Sequence, residues 1–107
     1  MRRTFQSAIM AGVIAVMTVA PACAETVQLE IKEYMFQPQD LTLPVGSVVV
    51  WTNHDQVPHT IAETTKKFRS AALDTGESFQ VTFKDPGVYR YFCTLHPQMV
   101  GKITVTP

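Results

Sequence analysis

The sequence predicts an all-β chain folded as one antiparallel β-sandwich or barrel. Three observations carry that prediction. Apolar and polar residues alternate in short runs, no stretch holds a helical period over a useful length, and Pro and Gly turn signals punctuate the runs. The chain has 107 residues, enough for one small domain and no more once a leader is removed.

The leader comes first. Arg2 and Arg3 form a positive head, an apolar run follows, and Pro21 leads into Ala22-Cys23-Ala24. That order of charge, apolar run and small-residue A-x-A is a secretory signal peptide over residues 1–24, cleaved after Ala24. The apolar run, about 13 residues from Ala8 to Ala20, falls short of the roughly 20 that cross a bilayer. Arg2-Arg3 before Phe5 partly resembles a twin-arginine signal, but Gln6 stands where a second apolar residue would help, so the export route stays open.

Residues 25–107 form the domain. Val27, Leu29 and Ile31 alternate with Gln28, Glu30 and Lys32 as a half-buried strand. Leu41 and Leu43 make a short second strand, and Pro44-Val45-Gly46 turns the chain. Ser47 to Asn53 is a third, with Val49, Trp51 and Asn53 on one face. Phe79, Val81 and Phe83 alternate with polar residues in a fourth, and Asp85-Pro86-Gly87 is a strong turn. Tyr89, Tyr91 and Cys93 then share a face, and Lys102 to Thr106 closes the chain with Ile103 and Val105 inward. The polar, basic stretch Glu63 to Ser70, with Lys66, Lys67 and Arg69, reads as a surface loop.

Charge excludes some partners. All nine acidic residues lie in 25–107, against seven of the nine basic ones, a net of −2. That is too mild to argue for nucleic acid or for a lipid surface. No later segment is long and apolar enough to insert in a membrane, and a monomer is expected. Cysteine usage says more. With Cys23 removed in the leader, Cys93 is the one thiol of an exported domain, so it bridges another molecule, sits as a buried bystander or ligates.

Its neighbours decide. Cys93, His96 and Met99 stand at spacing C-x-x-H-x-x-M, which places a thiolate, an imidazole and a thioether on one short loop between strands. A second imidazole, His59, lies 34 residues before Cys93, after Pro58, where it would sit at the mouth of the neighbouring strand pair. Taken singly, Met99 reads as core filler, His59 as a hydrogen-bonded residue and Cys93 as a small hydrophobe. Together they make the donor set of a trigonal His₂Cys copper site with a long axial methionine. Thiolate suits Cu(I), imidazole accepts both oxidation states, and a distant thioether lets the geometry stay nearly fixed as the charge changes. Structural zinc favours four strong Cys and His donors. The metal set is therefore His59, Cys93, His96 and Met99, with one copper per chain cycling between Cu(I) and Cu(II). His54, beside Asp55, reads as solvated, and Trp51 as core.

On these residues the chain resembles the cupredoxins, the blue copper proteins, and among them the amicyanin group. Cys93-Thr94-Leu95-His96-Pro97-Gln98-Met99 matches that group's short C-T-x-H-P-x-M loop. Trp51-Thr52-Asn53, Pro58-His59, Asp85-Pro86-Gly87 and the Tyr89-x-Tyr91-x-Cys93 alternation match the family as well. The resemblance implies a Greek-key sandwich and an exported, periplasmic one-electron carrier with no catalytic residues. It implies that Asn53 ties the His59 loop to Thr94 through its side chain, and that Thr60 offers its backbone N–H to the Cys93 sulfur. Leu95 departs from the group, which carries proline there. Leucine restores an N–H that could point at the sulfur, so the expectation is a lower reduction potential than in a Leu95→Pro variant. Val57, Pro58, Leu95, Pro97 and Val100 are expected to form an apolar docking patch around His96, with Lys66, Lys67 and Arg69 available to steer an acidic partner. The resemblance suggests an amine dehydrogenase as donor and a c-type cytochrome as acceptor. The alternative reading is a periplasmic copper-binding or copper-delivery protein on the same fold. Four protein donors leave no open position for a substrate, which argues against a copper enzyme.

Overall fold

The structure, a computed structural model, describes residues 23–107. Apart from its last two residues, the predicted leader lies outside the described residues. Glu25 is bonded into the fold: its N–H donates to Ser47 Oγ (3.1 Å) and its C=O accepts from Val48 (2.8 Å). Among the described residues there is no helix, and so none long and apolar enough to cross a membrane.

Eight strands follow: β1 (Thr26–Lys32), β2 (Met35–Gln37), β3 (Asp40–Pro44), β4 (Val48–Asn53), β5 (Ala62–Glu63), β6 (Ser78–Thr82), β7 (Gly87–Phe92) and β8 (Val100–Thr106). They form two four-stranded sheets in the orders β2-β1-β4-β6 and β3-β8-β7-β5. The alternating residues pack between them as expected. Leu29, Ile31, Val49 and Trp51 from one sheet meet Leu43, Tyr89, Tyr91, Ile103 and Val105 from the other. Trp51 is fully buried, against Phe68, Phe79 and Tyr91.

The sandwich is as predicted, but its sheets are mixed where antiparallel pairing was expected. β1 runs parallel to β4, and β3 parallel to β8. The cause is a change of sheet. After the β1–β2 hairpin only Pro38 and Gln39 separate β2 from β3, which belongs to the other sheet, and the turn after β3 brings β4 back beside β1. Alternation reports which face is buried and is silent on strand direction. One consequence matters for function: the C-terminal ends of β1 and β4 lie side by side, in register Ile31↔Asn53.

The stretch 63–70 also departs from the expected surface loop. Its middle is exposed, but Glu63 and Ser70 at its ends are buried, and Phe68 packs on Trp51. Composition misled here because the buried polar groups are answered by main chain. Ser70 Oγ accepts from Ile61 N–H (2.9 Å), and the Glu63 carboxylate accepts from Thr65 N–H (2.8 Å) and Lys67 N–H (2.9 Å). Burial works to raise the pKa of Glu63, but these donors outweigh it and hold the carboxyl below its ordinary 4.5. The carboxylate therefore stabilises the fold fully above that value, and the contribution is lost as the pH falls below it. Glu63→Gln is expected to lower stability by about 1–3 kcal/mol at neutral pH. In urea titrations the gap to the parent should narrow as the medium turns acidic; a gap independent of pH would contradict this reading.

Candidate metal centre

One end of the sandwich collects the predicted donors, because β4 and β7 both finish there and β8 starts there. Cys93 follows β7 directly, and Met99 immediately precedes β8. The loop between them is closed on itself: Cys93 N–H donates to Met99 C=O (3.0 Å), Met99 N–H to His96 C=O (2.9 Å) and His96 N–H to Cys93 C=O (3.3 Å). Cys93 and Met99 are buried, while His96 is partly exposed at the rim.

His59 arrives from the loop after β4. Its backbone forms an isolated bridge with Leu73, donating at 3.1 Å and accepting at 2.7 Å. Its ring is fully buried, with Nδ1 3.8 Å from Cys93 Sγ and its centroid 5.1 Å from that of His96. That spacing is informative. A sulfur at about 2.3 Å and a nitrogen at about 2.0 Å from one metal, 120° apart, stand roughly 3.7 Å from each other. The pair fits a shared ion. Among the described residues no group of three or more His, Cys, Asp or Glu side chains is drawn into a metal cage; the predicted donors stand as a close His59–Cys93 pair, with the His96 ring next to that of His59 and Met99 joined to Cys93 through the backbone.

Hydrogen bonds fix the His59 ring and the sulfur. Nε2 lies 2.8 Å from Asp55 Oδ2. Burial works to raise the Asp55 pKa, but the N–H groups of Tyr34 and Glu33 and the His59 ring outweigh it, so the carboxyl is held below its ordinary value. An ionised carboxylate only accepts. Nε2 is therefore the donor to Asp55, and Nδ1 is the ring nitrogen that faces the sulfur. The sulfur accepts from Thr60 N–H (3.3 Å) and, at 3.7 Å, from the Thr60 hydroxyl.

Sequence reasoning placed some of these supports correctly and others not. The Thr60 N–H reaches the sulfur as expected. Asn53 does not reach Thr94: its Nδ2 donates to Val57 C=O (2.9 Å) and Leu73 C=O (2.8 Å), and its Oδ1 accepts from Asp55 N–H (2.9 Å). Asn53 leaves the strand pointing into its own loop, and the bond to Thr94 comes from Thr60, whose Oγ1 accepts from Thr94 N–H at 2.7 Å. Leu95 N–H is not among the sulfur's donors; the sulfur is served from the other loop, by Thr60, so the predicted Leu95 effect on potential loses its basis. Asp55 was missed, and so was Tyr34, whose ring stands edge-on to both imidazoles. No turn residue in Lys32-Glu33-Tyr34-Met35 marks that hairpin. His54 stays outside the site, half exposed, 3.9 Å from Glu30.

A family profile described as a cupredoxin-like domain matches residues 7–105. The chain is a cupredoxin. Amicyanin-alpha from Methylorubrum extorquens is 32% identical to it over 104 residues, 92% of this chain and 86% of that one. A purple cupredoxin from Nitrosopumilus maritimus superposes with a TM-score of 0.70 at 36% identity, over 75% of this chain and 99% of the other. A copper-containing nitrite reductase from Thermus scotoductus gives 0.73 at 29% identity, over 77% of this chain but only 22% of the reductase. This cupredoxin thus matches about a fifth of that enzyme and most of the amicyanin. Copper, the cofactor of cupredoxins, is the metal its donor types suit.

Proposed function

We propose that this cupredoxin is an exported, periplasmic one-electron carrier of the amicyanin kind, with His59, Cys93, His96 and Met99 as its copper ligands. The observation that carries the reading is the buried pair of His59 Nδ1 and Cys93 Sγ, 3.8 Å apart, with the His96 ring beside it. Bound copper supplies the one-electron couple between Cu(I) and Cu(II). The chain's own residues keep the site from rearranging between those states. Cys93 is held between two strands by the closed 93–99 loop, His59 by Leu73 and Asp55, and the two loops are joined through Thr60 and Thr94. Donors fixed this way have little freedom to move when the charge changes, which favours rapid transfer. Thr60 N–H eases charge on the sulfur.

The surface supports a carrier. Pro58, Leu95, Pro97 and Val100, the residues expected to form the docking patch, are exposed, and Val57 and His96 are partly so. Tyr34 and Met35, each about half exposed (49% and 50%), extend the patch, since with Met99 and Val100 they line one cleft. Small apolar patches suit partners that must bind and leave quickly. The partners we favour are an amine dehydrogenase as donor and a c-type cytochrome as acceptor, with a monomeric carrier between them and a leader cleaved after Ala24. Exposed Lys66, Lys67 and Arg69 offer steering to an acidic partner.

Adding Cu(II) to the chain from Glu25 onward tests the reading. An intense visible band from the copper–thiolate bond is expected, abolished in Cys93→Ser, with reversible one-electron voltammetry. Copper uptake without that band in the parent would instead favour copper binding or delivery.

A further inference from the structure

Tyr34 sits at the centre of the β1–β2 turn in a conformation its residue type seldom adopts. Lys32 pairs with Met35, so Glu33 and Tyr34 alone make the turn, and both have positive φ, 55° and 57°. A two-residue hairpin demands that geometry and usually recruits Asn, Asp or Gly to meet it. Here the Asp55 carboxylate holds the turn from outside, accepting from Glu33 N–H (2.8 Å) and Tyr34 N–H (2.9 Å).

The turn delivers an aromatic ring to the metal end. The Tyr34 ring centroid lies 5.0 Å from that of His96, inclined 78°, and 5.3 Å from that of His59, inclined 88°. Both are edge-to-face contacts of the kind aromatic rings favour. The two imidazoles depend on it unequally. His59 is buried, bonded to Asp55 through Nε2 and pinned to Leu73 through its backbone. His96 is partly exposed, and among the described residues its ring has no hydrogen-bond partner; its ring contacts are Tyr34 and His59.

We propose that Tyr34 is a positioning residue of the metal centre, its ring holding the His96 imidazole beside His59 before any metal arrives. This rests on the reading of His96 as a ligand. An exposed imidazole on a short loop would otherwise sample several rotamers, and each entry or loss of charge would meet a ligand that must first be found. Tyr34 removes that search by contact alone. The strained turn is thus explained by what it presents, since strain of this kind gathers where a site must be pre-set.

Ring ¹³C relaxation in the metal-free chain tests the proposal, with two variants that separate ring from turn. Tyr34→Phe keeps the ring, and Tyr34→Asn keeps a residue that tolerates positive φ while removing it. The expected result is a His96 ring as ordered in Tyr34→Phe as in the parent. In Tyr34→Asn its order parameter should fall below about 0.6, the flexible range, with the His59 ring unchanged. A His96 ring that stays ordered in Tyr34→Asn, or loosens equally in Tyr34→Phe, overturns the proposal. So does equal loosening of His59, which would assign the effect to the turn. A His96→Ala variant whose Cu(II) spectrum matched the parent would instead remove His96 from the ligand set, and the two failures are told apart because the relaxation data need no metal.

Discussion

Gly101→Ala is expected to destabilise the sandwich by about 3 kcal/mol or more, the upper range for overpacking a core. Gly101 of β8 pairs directly with Tyr91 of β7, and the tyrosine ring lies across it. A methyl group on Gly101 would stand 2.7 Å from Tyr91 Cε2 and nearer still to Cζ and Oη. The ring cannot withdraw. It is buried, with Phe36 at 4.7 Å and Trp51 at 5.5 Å between centroids. Small domains of this kind have only about 5–15 kcal/mol in total, so the variant should unfold at markedly lower urea. If the clash is the cause, Tyr91→Leu in the same chain should return about 1 kcal/mol or more as a coupling term in a double-mutant cycle. A Gly101→Ala midpoint equal to the parent's would show that β7 and β8 can part without penalty. They frame the 93–99 loop, so the same clash should also disturb copper binding.

Much of this was open to reading along the chain, for a physical reason. Period-two alternation is a direct print of burial, so Leu29, Ile31, Val49, Trp51, Tyr89, Tyr91, Ile103 and Val105 could be placed inward without knowing which strand pairs with which. Cys93, His96 and Met99 could be grouped as candidate donors because they are local, three chemically distinct groups within one closed loop. What escaped depends on pairing direction or on length. β2 and β5 have three and two residues, too few to alternate. Asp55 looked like part of a solvated loop, since its partners are two backbone N–H groups and one ring nitrogen, and none of these leaves a mark in sequence. Its reach to Glu33 and Tyr34 follows from the parallel β1–β4 register, which sets His54 N–H on Ile31 C=O at 2.8 Å. An antiparallel β1–β4 pair would have put the two loops at opposite ends. The Thr60–Thr94 link was misassigned to Asn53 because nothing along the chain marks that Asn53 turns back to Val57 and Leu73 while Thr60 faces Thr94.

That register makes Asp55 the residue whose loss should reach furthest into the metal centre, and two substitutions separate its duties. Asp55→Ala strands three donors at once: the Glu33 and Tyr34 N–H groups of a turn with positive φ, and the buried Nε2–H of His59. Hydrogen bonds to a charged acceptor contribute about 1.5–3 kcal/mol each, less where water can replace the partner. Two of the three are exposed, so a loss of about 2–4 kcal/mol is expected in urea unfolding. Asp55→Asn acts on chemistry more than on fold. Its amide oxygen, at the Oδ1 position, can still accept from Glu33 N–H, but the amide nitrogen then stands at the Oδ2 position, facing both His59 Nε2 and Tyr34 N–H. A donor there favours the ring form protonated on Nδ1, which turns a hydrogen toward Cys93 Sγ where a lone pair is needed. Copper affinity should fall about 10- to 100-fold, the usual scale for losing the partner that orients a ligating histidine, while stability falls by less than in Asp55→Ala. Competition titrations beside unfolding curves would show the split. If Asp55→Asn binds copper as the parent does, either His59 is not a ligand or its ring is set by something other than this carboxylate.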